Sequence, residues 1–242
     1  MADTIKAKIG FISGGASSMP HYASFTPLIP SSIRIDFEGL GLYSRSLYEI
    51  ENKKDVIIDR VLELAARHAW DGVIVSAAPT EVLNPGLYDD LRAALRVPFT
   101  TALHACAAAL RAYSASRVLL LTPFDRRLND LICRHLEKKG ITATAPHPFE
   151  NLDMPKRMAP GEVFELARRA LQETGVQDAI YFQGAVLDPI KAIEKIEREL
   201  KTSVIASNPA MLWYILEKLQ IASPIPGYGR LLAEWPAAPQ EP

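Results

Sequence analysis

Two consecutive glycines, Gly14 and Gly15, directly follow an apolar segment that is typical of a buried strand. Because glycine has no side chain, the backbone N–H groups at such a turn can approach an anion closely. The chain contains no dinucleotide-binding or phosphate-loop glycine pattern, and no acidic residue is placed to bind a ribose. The two glycines therefore indicate either a site for a small anion or only a tight turn, and not a nucleotide site.

The other reactive side chains match no familiar catalytic or metal-binding spacing. The histidines are scattered at positions 21, 68, 104, 135 and 147, and Cys106 and Cys133 both fall on predicted helices. His104 follows a strand and could reach a cleft, but the apolar residues after it favour a place in the core, as they do for Cys106. The serines that follow strands lack the G-x-S-x-G elbow of a serine hydrolase. We expect no metal site.

A repeat organises the elements that position these residues. Three segments recur in the same order after 105 to 109 residues, namely 9–15 as 118–124, 71–80 as 178–186, and 98–110 as 203–216. Two similar β–α halves generally face each other, so the small-residue turns after the matched strands should converge on one cleft.

The composition excludes several classes of partner. Among 242 residues, 27 Lys and Arg nearly balance 28 Asp and Glu, so no molecule-wide field favours nucleic acid or an anionic membrane. The longest apolar runs have the length of strands and fall far short of the ~20 residues of a membrane span. The first residues lack the apolar stretch of a signal peptide, so we expect a cytoplasmic protein.

Short apolar runs alternate with longer amphipathic segments, which predicts an α/β protein whose parallel strands are covered by helices. Strands are predicted at 6–13, 33–37, 72–76, 97–100, 117–122, 141–145, 178–183 and 203–206. Helices are predicted at 47–69, 86–96, 102–113, 125–139, 160–174, 187–200 and 208–219. The proline-containing stretches 17–32 and 146–160 are predicted to be irregular loops, either lids over a site or plain connections. The tail 236–242 is predicted to be disordered.

Four short motifs carry a resemblance to a known family: Ile-Gly-Phe-Ile at 9–12, Gly-Leu-Gly-Leu at 39–42, Ser-Asn-Pro-Ala at 207–210 and Pro-Gly-Tyr-Gly-Arg-Leu at 226–231. Over residues 7–232, in order and with few gaps, the chain resembles the aspartate/glutamate racemase superfamily, within it the branch of arylmalonate decarboxylase and maleate isomerase. The resemblance implies two pseudo-symmetric α/β lobes, each a mostly parallel sheet flanked by helices, with the active site between them. We assign 1–115 to the first lobe and 116–207 to the second, and we expect 208–235 to complete the first.

The same resemblance implies an enzyme without a cofactor that binds a small carboxylic acid. In that family, N–H and hydroxyl donors hold a carboxylate while an enediolate forms, and a cysteine at a strand end protonates it. Racemases use one such cysteine in each lobe, and the decarboxylase uses only the second. The two cysteine positions correspond here to Ala78 and Gly184. Neither residue has a proton to donate.

The family's hydrogen-bond donors are also largely replaced. The paired hydroxyls after the third strand become Pro79 and Thr80, and the tyrosine after the fifth strand becomes Phe124. Tyr43 and Arg45 fall where the decarboxylase has small, apolar pocket residues. A guanidinium there could bind a carboxylate through two hydrogen bonds, unless it points to solvent.

The candidate site follows from these correspondences. Gln183 adjoins the missing second thiol and offers an amide, although packing at the strand end would explain it equally well. We take Thr80, Arg45 and Gln183 as candidate catalytic residues. The candidate substrate contacts are Ser13, Gly14, Gly15, Tyr43, Pro79, Phe124, Gly184 and Ala185.

Three functions remain open. The first is a cofactor-independent lyase, similar to a decarboxylase, that acts on a small di- or substituted carboxylic acid through an enediolate. The second is an isomerase or racemase that draws its base from Tyr43, His104 or Asp188, although Asp188 is better explained as a helix cap. The third is a catalytically inactive carboxylate-binding protein. Chemistry that uses two thiols is set aside, because no thiol stands at either position. A homo-oligomer is left open.

Overall fold

The computed structural model describes residues 4–16, 23–147, 149 and 153–240. Its strands form two four-stranded parallel sheets, one in each lobe. The first sheet contains β1 (Ala7–Ser13), β2 (Ile33–Gly39), β3 (Gly72–Val75) and β4 (Phe99–Thr101), in the order β2-β1-β3-β4. The second contains β5 (Arg117–Leu121), β6 (Thr142–Thr144), β7 (Ala179–Phe182) and β8 (Ser203–Ala206), in the equivalent order β6-β5-β7-β8. The predicted fold class is confirmed.

Helices connect the parallel strands, as parallel pairing requires. They are α1 (Lys54–His68), α2 (Ala78–Val82), α3 (Leu87–Ala94), α4 (Ala102–Ala112), α5 (Arg126–Glu137), α6 (Asp153–Lys156), α7 (Pro160–Thr174), α8 (Ile193–Leu200), α9 (Ser207–Lys218) and α10 (Arg230–Glu234). Two 3-10 helices, Thr26–Leu28 and Leu47–Ile50, lie in connections of the first lobe. Over the residues that the structure describes, no helix has the length and apolar character needed to cross a membrane.

Equivalent aspartates hold the central strands of the two lobes in register. Asp71 accepts a hydrogen bond from the N–H of Lys8 at 2.8 Å and returns its own N–H to the Lys8 carbonyl at 2.7 Å. Asp178 makes the same pair of bonds with Arg117, at 2.8 and 2.7 Å. The repeat in the sequence is therefore a repeat of hydrogen bonding as well as of strand order.

One hydrophobic core runs through the first lobe and continues onto one face of the second sheet. Its centre is the contact between α4 and α9, both of which are buried over most of their length. Helix α9 also contacts β3 and β4 of the first sheet, and α4 contacts β8 of the second. A smaller apolar cluster with α7 and α8 covers the other face of the second sheet. The assignment of 208–235 to the first lobe stays a prediction.

Two predicted helices begin later than expected. The segment 47–69 divides into a 3-10 helix and α1, because Asn52 between them adopts a left-handed backbone with φ 57°. The segment 187–200 becomes helical only at Ile193, so Asp188 is not the cap of that helix. Its carboxylate instead accepts the N–H of Ile190 at 3.0 Å in a turn. Three further helices, each of five residues or fewer, were not predicted: α2, α6 and α10.

The predicted irregular segments are only partly described. Residues 17–22, which include His21, and residues 148 and 150–152 lie outside the described ranges. The rest of the first stretch buries Phe25, and the second contains α6. The predicted disorder of the tail is wrong for its described part, because the Pro236 carbonyl accepts the indole N–H of Trp213 at 2.9 Å. Residues 241–242 lie outside the described ranges.

Candidate functional site

The predicted site residues lie in the turns that follow β1, β3, β5 and β7. Parallel strands place these turns at the same edge of each sheet. Beside the turns, side chains of the two lobes are in contact, as in the pairs Tyr48 with Asp125, Glu81 with His135, and Cys106 with Gln183. The lobes therefore face each other along the edge that carries the candidate residues.

The turn after β1 is tightly hydrogen-bonded. The Ser13 hydroxyl accepts the N–H of Gly15 at 3.1 Å, so this N–H is already bonded within the turn. The Gly14 carbonyl accepts the N–H of Leu42 at 2.8 Å, which fixes the segment after β2 beside the glycines. The ring of Tyr43 then lies against both glycines, within 2.8 to 2.9 Å of where a Cβ atom would stand. Glycine is needed here for the close approach of Tyr43.

The turn after β3 leads directly into α2. Ala77 has φ 70°, an unusual conformation for a residue with a side chain, and Ala78 and Pro79 begin the helix. The buried Thr80 hydroxyl donates to the Ser76 carbonyl at 3.1 Å. Thr80 therefore lies after β3, as expected. Its hydroxyl would have to break the hydrogen bond to the Ser76 carbonyl before it could donate to a substrate.

Asn84 fixes this helix in place and was missed by the sequence analysis. Its side-chain amide donates to the Thr80 carbonyl at 2.9 Å and to the Ile50 carbonyl at 3.0 Å, and its oxygen accepts the N–H of Lys53 at 2.7 Å. These bonds join the helix that carries Thr80 to the segment that carries Tyr43. An asparagine shortly after a strand end gave no sequence signal of this role.

The turn after β5 repeats the turn after β1. The Thr122 hydroxyl accepts the N–H of Phe124 at 3.0 Å, as the Ser13 hydroxyl accepts that of Gly15. Phe124 and Pro123 lie against Gly184 of the turn after β7, and a Cβ atom on Gly184 would stand 2.8 Å from Pro123 and 3.0 Å from Phe124. Gly184 has φ 97°, which a residue with a side chain rarely adopts. Position 184, where the resemblance predicts the family's second thiol, thus has room only for glycine.

Gln183 makes contacts that belong to the interior of the protein. Its side-chain oxygen accepts the hydroxyl of Tyr181 at 2.5 Å and lies 3.9 Å from the Cys106 sulfur. Within the described residues, the Gln183 amide nitrogen makes no hydrogen bond, so both of its N–H groups could donate to a ligand. Cys106 is fully buried, and burial raises the pKa of its thiol to about 12. It is therefore a protonated packing residue beside the site and not a thiolate nucleophile.

Arg45 lies two residues after Tyr43, in the exposed turn before the 3-10 helix Leu47–Ile50. The N–H of Ser44 donates to Glu49 at 2.9 Å and closes this turn. Among the described residues, the Arg45 guanidinium makes no hydrogen bond or ion pair within 4 Å, and its charge adds to the Ser44 N–H bond in lowering the pKa of Glu49. The structure brings Tyr43 against the glycines, but no contact joins Arg45 to Thr80 or Gln183.

Two cavities can be described. One of about 10 Å³, the size of a single water, lies between Gly184, Ala185 and the first residues of α9. A wide groove of about 1030 Å³ lies elsewhere on the second lobe, between the segment after β6 and α7, and contains none of the predicted site residues. The described residues also contain no group of three or more His, Cys, Asp and Glu that could hold a metal ion.

A buried acid and base between the lobes were not predicted. A Glu81 oxygen of α2 lies 3.5 Å from Nε2 of His135 on α5, and the other oxygen accepts the Thr101 hydroxyl at 2.5 Å. Burial raises the pKa of Glu81 to about 7, against the lowering effect of the Thr101 bond. Burial, assisted by Lys139 and Lys138, lowers the pKa of His135 to about 4. The pair is therefore largely uncharged in slightly acidic solution.

A second contact between the lobes closes the edge of the site. The Tyr48 hydroxyl donates to both oxygens of Asp125, at 2.7 and 2.8 Å, and Arg127 pairs with Glu51. The Arg127 guanidinium also lies over the Tyr48 ring, 4.7 Å from its centre. Burial and the Asp125 carboxylate raise the pKa of Tyr48 to about 12. We call Tyr48, Glu51, Asp125 and Arg127 the interlobe clamp.

His104 is a core residue, as its neighbours in the sequence favoured. Its Nε2 lies 2.9 Å from the Tyr214 hydroxyl and 3.1 Å from that of Tyr88, and its ring stacks on Tyr88 at 4.0 Å. His104 is 5% exposed. The structure therefore places this candidate base in the packing between α4, α9 and α3.

Comparison with known proteins identifies the family. A family profile described as arylmalonate decarboxylase matches residues 16–232. The chain belongs to the arylmalonate decarboxylase family. Arylmalonate decarboxylase from Bordetella bronchiseptica is 27% identical over 210 residues, which cover 81% of this chain and 85% of that enzyme. Maleate isomerase from Nocardia farcinica (strain IFM 10152) is 34% identical over 127 residues, which cover 52% of this chain and only 50% of that isomerase.

The similarity of fold extends along nearly the whole chain. A crystal structure of arylmalonate decarboxylase superposes with a TM-score of 0.77 at 24% identity, covering 94% of this chain and 99% of that one. The resemblance inferred from short motifs is confirmed, and the relatives that carry it are named as enzymes. The assignment of the family's two cysteine positions to Ala78 and Gly184 stays a prediction.

Proposed function

We propose that the protein is a cofactor-independent lyase that decarboxylates a small di- or substituted carboxylic acid. Family membership and the named relatives support carboxylic-acid chemistry in general. The observation that favours a lyase is the fully buried Cys106, whose pKa is about 12, together with a Gly184 that has no room for a side chain. An isomerase that forms a thiol adduct needs a nucleophilic thiolate near neutral pH. Loss of CO₂ needs none.

The proposed step balances without a redox partner. The bond between the α carbon and one carboxylate breaks, CO₂ leaves, and the electron pair moves onto the remaining carboxylate as an enediolate. Water then supplies a proton to the α carbon. The protein needs only to remove water from the departing carboxylate and to stabilise the charge that develops on the other.

The proposed donors are the groups that remain able to bind an anion. Arg45 is exposed, and its charge acts on the nearby Glu49 without an ion pair among the described residues, so its guanidinium could turn to bind a carboxylate. The Gln183 amide nitrogen is held in one orientation, because Tyr181 and Cys106 contact the Gln183 oxygen. Thr80 would join them by turning its hydroxyl away from Ser76, and the backbone of Gly184 and Ala185 would complete the set.

The test is CO₂ release from malonate and methylmalonate, combined with deuterium uptake from D₂O into the product. We expect Arg45→Ala to lower kcat/KM at least 100-fold, which is about 2.7 kcal/mol of lost transition-state stabilisation. The matched control is Arg96→Ala, because Arg96 is also exposed but precedes β4, at the opposite edge of the sheet. Turnover by Arg45→Ala equal to that of Arg96→Ala would contradict the role of Arg45.

An inactive carboxylate-binding protein is the second candidate. Three features favour this candidate. The Gly15 N–H and the Thr80 hydroxyl are already hydrogen-bonded within the protein, and neither position 78 nor position 184 carries a thiol. Malonate would then raise the melting temperature through Arg45, without release of CO₂ and without deuterium uptake.

Maleate is the substrate that tests the isomerase alternative, with fumarate formation followed by NMR.

A further inference from the structure

A single tyrosine ring covers both glycines at the end of β1. A Cβ atom on Gly14 would stand 2.9 Å from Cε1 of Tyr43, and one on Gly15 would stand 2.8 Å from Cε2 and 3.0 Å from Cζ. The two glycines therefore face opposite edges of the same ring. Ile50 closes the side of Gly14, since its Cδ1 would stand 2.5 Å from that Cβ. The ring occupies the space that the glycines leave open.

The backbone holds this ring in place from both sides. Before Tyr43, the N–H groups of Gly41 and Leu42 donate to the Gly15 and Gly14 carbonyls at 2.9 and 2.8 Å. After Tyr43, the N–H of Ser44 donates to the Glu49 carboxylate at 2.9 Å. These bonds fix the backbone on either side of Tyr43, so another group can take the place of the ring only if the Tyr43 side chain rotates away.

The facing turns of the second lobe leave little compensating space. Pro123 and Phe124 lie against Gly184, and the cavity beside Gly184 holds about 10 Å³. An apolar cavity that accepts benzene is on the order of 150 Å³. The cavity beside Gly184 is therefore too small for an aryl group.

We propose that Tyr43 is a specificity-determining residue that excludes aryl-substituted acids and restricts the site to compact aliphatic carboxylates. The location of the ligand site rests on the proposed function, but the size limit does not depend on any turnover. Arylmalonate decarboxylase, the relative that gives the family its name, is named for aryl-substituted acids. By size alone, Tyr43 would thus make this chain accept smaller acids than the aryl-substituted acids for which that relative is named.

The experiment measures the binding of phenylacetate and acetate by ligand-observed NMR, in the full chain. We expect the wild-type protein to prefer acetate, and Tyr43→Ala to bind phenylacetate at least tenfold more tightly than the wild type does. Tyr43→Phe, which keeps the ring, should exclude phenylacetate as the wild type does. Tyr113→Ala is the control, because Tyr113 is also a partly buried tyrosine but contacts Glu234 and Arg230, away from the turns.

The outcomes are decisive without catalysis. Equal affinity of the wild-type protein for phenylacetate and acetate would overturn the proposal, as would unchanged phenylacetate binding in Tyr43→Ala. If Tyr43→Ala fails to fold, Tyr43→Val tests the same enlargement with more apolar contact kept. An absence of CO₂ release in every variant would contradict the proposed lyase function and leave the size limit intact. A gain of phenylacetate binding in Tyr113→Ala as well would show a general loosening and count against Tyr43.

Discussion

The two lobes share a backbone plan but differ at the edge where they meet. Ser13 and Thr122 make the same hydrogen bond to the residue two positions later, and Asp71 and Asp178 make the same pair of bonds between strands. In the first lobe, the segment after β2 brings Tyr43 over the glycines and exposes Arg45. The second lobe presents Pro123 and Phe124 against Gly184 instead.

The repeated features are therefore the strands and the hydrogen bonds of their turns. The side chains that differ between the lobes determine which groups face the site. A turn whose hydrogen bonds are made by its own hydroxyl and backbone can accept very different neighbours. Gly184 is equivalent in the repeat to Ala77, and both have a positive φ, 97° and 70°, yet Pro123 and Phe124 pack against the one while the other carries a side chain and leads into α2. The four predictions below contrast the lobes or the contacts between them.

The largest contrast is expected between Gly184→Ala and Ala78→Gly. Gly184→Ala places a Cβ atom against Pro123 and Phe124 at φ 97°, so we expect a loss of about 1–3 kcal/mol in the free energy of unfolding. Ala78→Gly adds only backbone freedom in the first turn of α2 and should cost about 0.5–1 kcal/mol. Urea denaturation measures both. Equal losses would show that the contacts and backbone conformation of Gly184 do not make it the more demanding position.

The next contrast concerns how the Glu81 and His135 pair responds to pH. Because the folded pKa of Glu81 is raised from 4.5 to about 7, its contribution to stability is full below pH 4.5 and is lost as the pH rises towards 7. Because the folded pKa of His135 is lowered from 6.5 to about 4, stability is lost as the pH falls from 6.5 towards 4. The two effects oppose each other over the shared range.

Removing either partner should therefore reveal the effect of the other. We expect Glu81→Gln to lose stability on acidification from pH 6.5 to 4 more steeply than the wild-type protein. His135→Gln should instead lose stability as the pH rises from 4.5 to 7. Urea midpoints measured across this range provide the test, and parallel pH profiles for the two variants would refute it.

A smaller contrast is expected between the equivalent aspartates. Asp178 accepts the N–H groups of Arg117 and Ser116 and the Ser116 hydroxyl, at 2.8, 3.0 and 3.1 Å, and these bonds lower its pKa to about 2. The N–H of Lys8 is the backbone donor to Asp71. We expect Asp178→Asn to cost about 1–2 kcal/mol at pH 7 and Asp71→Asn less than about 1 kcal/mol.

Acid should reduce the difference between these two variants. The folded pKa of Asp178 lies below its ordinary 3.8, so its contribution is present above that pH and is lost as the pH falls towards 2. Unfolding measured at pH 7 and pH 3 tests both statements. A larger cost for Asp71→Asn would mean that hydrogen-bond number does not set the strength of this repeated contact.

The smallest effect is expected from the interlobe clamp. Tyr48→Phe removes the hydroxyl that donates to Asp125, at a cost of about 0.5–1 kcal/mol because the contact is partly exposed. Hydrogen exchange should increase at residues 124–128, where Asp125 also caps α5 by accepting the N–H of Leu128 at 3.0 Å. Tyr113→Phe, which loses a bond to Glu234, should leave exchange at 124–128 unchanged. Unchanged exchange in Tyr48→Phe would mean that the clamp does not order this turn.

The sequence predicted the strands well because buried parallel strands leave a clear local signal. All eight predicted strands are present within a few residues of their expected bounds, including the short and mostly exposed β6. The helix at 47–69 was overextended, because its apolar spacing continues through Asn52 while the backbone there does not. Helix α2 was missed because five residues are too few for a periodic pattern.

The candidate site was predicted in outline only. The turns that hold Gly14, Thr80, Phe124 and Gly184 could be located, since each follows a recognisable strand. The hydrogen bonds that the Gly15 N–H and the Thr80 hydroxyl already make could not be predicted. A hydroxyl can bond to a substrate or within its own turn, and the sequence does not distinguish the two. Glu81 and His135 gave no signal, since neither stands in a motif and they meet only across the lobes.

The order of side chains along the chain was enough to determine the repeat, the parallel α/β plan and the absence of a thiol at Ala78 and Gly184. These features are local, because they depend on apolar periodicity and on the identity of single residues. Tertiary structure alone decided that Tyr43 covers the glycines, that Phe124 closes on Gly184 and that Cys106 is buried away from reaction. These contacts join distant parts of the chain, and packing rather than local preference determines which side chains meet.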